Sequence, residues 1–161
     1  MKVVIFCGGL GTRLREYSET VPKPLVDLGY RPIVWHLMRY YAHFGHKEFI
    51  LCLGYRGDMI QDYFLNYDEC RSNDFILSEG GKRVELISRD IADWRITFVD
   101  TGIQTNIGGR LAAVREHIGD DECFMASYSD ALTDANLEDY LDQFRTSGKT
   151  AGLLAVHPMH S

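Results

Sequence analysis

Five short apolar runs punctuate the chain, separated by segments whose apolar residues recur at helical spacing. The runs cover residues 2–7 (KVVIFC), 48–53 (EFILCL), 95–100 (RITFVD), 123–128 (CFMASY) and 150–157 (TAGLLAVH). Several are apolar at consecutive positions, the pattern of strands covered on both faces. Between the first two runs, Ile33, Leu37, Tyr40 and Tyr41 predict a helix, with Pro32 in its first turn and Gly45 just past its end. Further helices are predicted over 58–66, 109–117 and 136–145, the last capped by Thr133 or Asp134. Strand–helix alternation of this kind predicts an α/β fold: a Rossmann-like, doubly wound, mostly parallel sheet with helices on both faces. Residues 67–93 interrupt the rhythm. Gly80 and Gly81, between Ile76 and Val84, read as the turn of a β-hairpin on a surface excursion.

Composition narrows the classes. At 161 residues, 45% hydrophobic and 25% charged, the sequence fits a single soluble domain over 1–161. A net charge of -6 argues against nonspecific nucleic-acid binding and against an anionic membrane surface. No signal peptide or apolar stretch of transmembrane length is visible, so a cytoplasmic location is expected. Cys7, Cys52, Cys70 and Cys123 form no C-x-x-C pair, and three of them sit in apolar runs. Cys7, Cys52 and Cys123 are therefore expected to be buried free thiols.

The candidate chemistry lies behind the first strand, in FCGGLGTRLREYSETVPKPL. The spacing of Gly8, Gly9 and Gly11 matches neither the dinucleotide fingerprint nor a P-loop. Thr12, Arg13 and Lys23, the last held between Pro22 and Pro24, add a hydroxyl, a guanidinium and an ammonium beside exposed backbone N–H groups. That is a phosphate-binding set. Arg15 has no such role and reads as a solvated side chain. Asp130 follows the fourth run, at the carboxyl end of a strand, where open α/β sheets bind ligands. Its carboxylate suits Mg²⁺, which takes few protein ligands and completes its shell with water and phosphates. Asp134 reads as a helix cap rather than a second ligand. His36, His43, His157 and His160 lack the third partner of a metal set, and the aromatic groups at 40–44 and 63–67 read as core and interface.

GGLGTRL followed by PKPL resembles the signature of the sugar-1-phosphate nucleotidyltransferases, and the neighbouring residues resemble the glucose-1-phosphate cytidylyltransferase branch. Supporting stretches are RPIVWHLMRYYAHFGHKEFILCLGYRG, FLNY, FVDTG, GGRL and YSDALTD, in matching order along the chain. The resemblance implies transfer of a nucleotidyl group from CTP, or another nucleoside triphosphate, to a sugar-1-phosphate, with Mg²⁺ as cofactor. By matched position, Gly8, Gly9, Leu10, Gly11 and Thr12 would receive the nucleotide. Arg13 would clamp the departing pyrophosphate, Lys23 would neutralise charge at the phosphates, and Asp130 would hold the metal; Arg13, Lys23 and Asp130 are the implied catalytic residues. Arg110 is implied near the base, where it would contact the nucleotide or a neighbouring subunit, or stand as a surface arginine.

Two positions depart from the family pattern: Ala131 where glycine is common, and Ile107 where the cytidylyltransferases often carry threonine. A methyl group at 131 would crowd the site if that position needed φ > 0. Family members also continue past the fifth run with a second metal aspartate, a phosphate-binding lysine and most of the sugar pocket. The resemblance therefore implies either a truncated derivative or dependence on association, with a homo-oligomer expected. The alternative function is a nucleotide-binding module that lacks turnover.

Overall fold

The computed structural model describes residues 1–9 and 21–155. Its main sheet has four parallel strands: β1 (Val3–Phe6), β4 (Glu48–Leu53), β7 (Arg95–Asp100) and β8 (Met125–Tyr128), in the order β7-β4-β1-β8. Two short antiparallel pairs stand apart: β2 (Asp27–Leu28) with β3 (Arg31–Pro32), and β5 (Phe75–Ser78) with β6 (Arg83–Leu86). The helices are α1 (Ile33–His43), α2 (Gly57–Leu65), α3 (Ile107–Ala113), α4 (Arg115–Ile118) and α5 (Leu137–Ser147).

The sheet is wound in two directions. From β1 the chain steps through α1 to β4, then past α2 to β7, and finally returns across the sheet through α3 and α4 to β8. Crossovers of one hand that travel in opposite directions must lie on opposite faces. The packing obeys this. Val3, Ile5 and Cys7 join Val34, Leu37 and Met38 of α1, Ile60 of α2 and Leu137 and Leu141 of α5 in one core. Val4, Ile50 and Cys52 form the other core with Val114 and Ile118. Alternate residues of β1 thus feed both layers, and Val3, Val4 and Ile5 are fully buried. Full burial of such a side chain contributes about 1.5–3 kcal/mol.

Local chemistry accounts for the element ends. α1 stops where Gly45 takes φ 82°. There the His46 N–H donates to the Tyr41 carbonyl and the Gly45 N–H to that of Ala42, both at 3.0 Å. This is the Schellman arrangement. The excursion is tied down by Arg31, which is 1% exposed. Its guanidinium donates to the Ser72 hydroxyl, the Tyr63 hydroxyl and the Asp68 carbonyl, and lies 4.0 Å from the Tyr67 ring centroid. Ser72 and Tyr67 in turn donate to Asp90, at 2.7 and 2.9 Å. Burial pushes the Asp90 carboxyl up, yet the hydrogen bonds it receives outweigh burial and hold it below the usual carboxylate value.

Several sequence expectations need correction. The run at 150–157 is not a strand over 151–155; that stretch pairs with nothing among the described residues, and Leu153 is 91% exposed. Its apolar residues meet no neighbouring strand that could order them into the sheet. The predicted helix over 109–117 is broken at Val114, where φ -97° and ψ 4° leave the helical region. Asn136, not Thr133 or Asp134, caps α5, its Oδ1 accepting from the N–H groups of Glu138 and Asp139. Cys123 is exposed because β8 begins only at Met125, leaving it in the preceding loop.

Candidate active site

The register aligns the strand ends. Phe6 of β1 sits opposite Cys52 of β4 and Tyr128 of β8, and Cys52 opposite Val99 of β7. The next residues therefore emerge together at one rim: Gly8 and Gly9, Gly54, Thr101 and Gly102, and Ser129 and Asp130. β1 and β8 are adjacent strands whose connections run in opposite directions. A crevice opens at such a switch point, beyond the carboxyl ends.

Lys23 reaches this crevice from the far end of the glycine loop. Pro22 and Pro24 are buried, and the Lys23–Leu25 stretch forms one 3-10 turn closed by the Leu25 N–H donating to the Pro22 carbonyl at 2.8 Å. Two prolines fix the backbone on either side of the lysine. Its ammonium lies 3.5 Å from Asp130 Oδ2, the two side chains 23% and 43% exposed. An ammonium and a carboxylate thus share the switch point while both remain open to solvent.

Beneath them the rim is tightly packed. Arg110 is 4% exposed, and its guanidinium points inward. Nη1 donates to the Leu53 carbonyl at 2.8 Å and to the Thr101 hydroxyl; Nη2 donates to the Gly8 carbonyl at 3.1 Å and the Ile103 carbonyl at 3.4 Å. The Thr101 hydroxyl donates to the Leu53 carbonyl at 2.7 Å. A Cβ at Gly8 would stand 2.1 Å from Arg110 Nη1, and one at Gly54 would stand 2.9 Å from the Gly8 backbone. Gly8 and Gly54 are therefore glycines because protein atoms fill the side-chain space. Gly9 differs: a Cβ there meets no described atom within 4 Å.

Cys7 lies at the base of the rim, buried among apolar neighbours, and burial pushes its thiol far above the ordinary value. It packs rather than reacts. Ala131 does not take a positive φ, since among the described non-glycine residues only Arg56 and Glu79 do. Its methyl group causes no backbone strain of that kind.

Of the residues singled out from sequence, the fold brings together Gly8, Gly9, Lys23 and Asp130, with Arg110 below them. Leu10, Gly11, Thr12 and Arg13 lie outside the described residues. Gly54 and Thr101 escaped notice as functional positions. Their signal was present in CLGYRG and FVDTG, but only the fold shows that Gly54 abuts the Gly8 backbone and that Thr101 is linked to Gly8 through Arg110. Among the described residues, no group of three or more His, Cys, Asp or Glu side chains converges as a metal site. No helix among them is long and apolar enough to cross a membrane.

Comparison with known proteins places the chain in a family. Residues 2–160 match the family described as Nucleotidyl transferase. The chain is 41% identical over 98% of its length to glucose-1-phosphate cytidylyltransferase of Salmonella typhimurium, and 40% identical over 97% to the probable enzyme of that name from Bacillus subtilis. It spans 61% and 60% of the lengths of these curated relatives. A UDP-glucose pyrophosphorylase complexed with UDP-glucose superposes over 91% of this chain and 53% of its own, with a TM-score of 0.66 at 16% identity. HddC from Yersinia pseudotuberculosis superposes over 88% of this chain and 53% of its own, with a TM-score of 0.65 at 24% identity. With this fold, this switch-point site and a family match over nearly its whole length, the chain belongs to the nucleotidyl transferase family.

Proposed function

We propose that the protein transfers a cytidylyl group from CTP to glucose-1-phosphate, giving CDP-glucose and pyrophosphate. The observation that carries this reading is the Lys23–Asp130 pair, 3.5 Å apart, at the switch point of a parallel sheet. The names of its relatives support the choice of CTP and glucose.

In the reaction, a phosphate oxygen of the sugar attacks the α-phosphorus in line. A new P–O bond forms as the bond to the β-phosphate breaks, and the electron pair leaves with pyrophosphate. Such chemistry is mainly positioning and charge neutralisation. Gly9, exposed and without a side chain, lets the nucleoside approach the backbone. Lys23, pinned between prolines, neutralises negative charge that gathers on the phosphates. Arg13 completes the clamp on the leaving pyrophosphate. Asp130 offers one half-exposed carboxylate, a donor set that fits Mg²⁺ held jointly with substrate phosphates and water rather than in an all-protein cage. When bound there, Mg²⁺ supplies further charge neutralisation on the triphosphate.

Pyrophosphate release with Mg²⁺ and glucose-1-phosphate, assayed separately with CTP, UTP, dTTP, ATP and GTP, tests the proposal. Release with CTP alone is expected. Release with a different nucleotide alone would overturn the base assignment. Calorimetric binding of CTP without release on any acceptor would instead make this chain a nucleotide-binding module, and absence of both would overturn the reading.

A further inference from the structure

We propose that Arg110 is a positioning residue, which grips the Gly8 carbonyl and so sets the Gly8–Gly9 peptide plane against which the nucleotide lies. This inference rests on the function proposed above for the same site.

Three observations carry it. First, Arg110 is buried and its two terminal nitrogens already meet four protein oxygens. Those oxygens belong to the ends of β1 and β4 and to the segment following β7, so one planar group ties three strand ends together. A lysine, with its point charge and single nitrogen, cannot span the same acceptors. Second, the space for the guanidinium exists only because residue 8 lacks a Cβ. Gly8 and Arg110 are therefore two halves of one contact, although 102 positions separate them. Third, a trans peptide is planar, with its C=O and N–H antiparallel. No cis peptide bond occurs among the described residues. Drawing the Gly8 carbonyl onto Arg110 thus turns the Gly9 N–H away from the guanidinium. Gly9 is exposed, and the side-chain direction there meets no described atom.

The helix that delivers Arg110 is built for the reach. Asn106 caps α3 by accepting from the Gly109 N–H at 2.8 Å. A Cβ at Gly109 would stand 2.7 Å from Thr105 Cγ2, so the glycine lets the first turn close against Thr105. Among the described residues no carboxylate pairs with Arg110. Its buried charge is held by backbone and hydroxyl dipoles, a costly arrangement for stability alone. At the root of a phosphate-binding rim, the same charge favours a bound polyanion.

The test compares R110Q, G8A and their double variant, with calorimetric affinity for CTP and UTP. A backbone-mediated role predicts an equal loss for the two nucleotides, about tenfold or more, with their ratio unchanged. Loss confined to one nucleotide would show that Arg110 reads the base, and would overturn the proposal. Because G8A evicts the guanidinium, the double variant should be no weaker than R110Q; additive losses would equally overturn it. A second readout needs no nucleotide. The ¹⁵N order parameter of the Gly9 amide should fall from about 0.85 to below about 0.6 in R110Q. T101V, which removes one acceptor of Nη1, should lower it less, and provides the comparison if R110Q does not fold. An unchanged Gly9 amide in the folded variants overturns the grip itself. If the wild-type chain binds no nucleotide while the amide responds, the functional reading fails and the grip stands.

Discussion

Lys23 and Asp130 lie 107 positions apart in sequence and 3.5 Å apart in space. Each was recognisable alone, the lysine by its flanking prolines and the aspartate by its place after an apolar run. Their pairing was not, because it depends on β8 lying beside β1. A partly exposed pair of this kind contributes little to stability. Under the proposed function its use lies in chemistry. K23A and D130N should each lower turnover by about two orders of magnitude, the cost of losing one electrostatic partner of a phosphoryl-transfer site. Steady-state rates of pyrophosphate release would show it, with thermal midpoints close to wild type. D130N should also need more Mg²⁺ for half-maximal rate. Normal rates in both variants would remove these residues from the site. Gly8 teaches a related lesson. The family resemblance implies that the Gly8 backbone receives the nucleotide, and the structure shows that the space a Cβ would take there is filled by Arg110.

Elements were legible where periodicity and end signals agreed. α1 carries both, and its predicted end at Gly45 is where the backbone turns left-handed. α5 was equally clear, but its cap was not, because Thr133, Asp134 and Asn136 are all good capping residues within four positions. Only the fold shows that the Asn136 side-chain Oδ1 accepts from the N–H groups of Glu138 and Asp139. N136A should therefore destabilise the protein by about 1 kcal/mol. That corresponds to a fall in Tm of roughly 2–4 °C by calorimetry. T133A, by contrast, removes only an acceptor for the Ala135 N–H before the helix, and should shift Tm less. The run predicted over 150–157 failed for a different reason over its described stretch, 151–155. An apolar run permits a strand, but a strand also needs a neighbour to pair with. None of the described residues supplies one to 151–155.

At the scale of the molecule, the fold half-buries His46 within the field of two positive groups distant in sequence, the N-terminal ammonium and Arg145. Burial, then the N-terminal ammonium and Arg145, lower its pKa below the ordinary 6.5. A depressed value in the fold means that the unfolded chain binds the proton more readily. The contribution is therefore fully present above about pH 6.5 and is lost as pH falls through the folded value. Urea midpoints should drop between about pH 7 and about pH 5, and H46Q should flatten that part of the slope. An identical slope in H46Q would show that other groups dominate.

The amino-acid sequence by itself determined the alternation of strands and helices, the doubly buried character of β1 and β4, the glycine-rich exit from β1 and the proline-flanked lysine. These are local properties, set by side-chain periodicity and backbone freedom over a few residues. Tertiary structure decided the strand order β7-β4-β1-β8, and with it which residues meet at the rim. It joined Lys23 to Asp130, drew Arg110 under Gly8, and made Gly54 and Thr101 part of the same packing. The Lys23–Asp130 and Gly8–Arg110 contacts each span more than 100 positions. They form because winding in both directions from β1 brings distant strand ends side by side, and no local pattern in the chain specifies that arrangement.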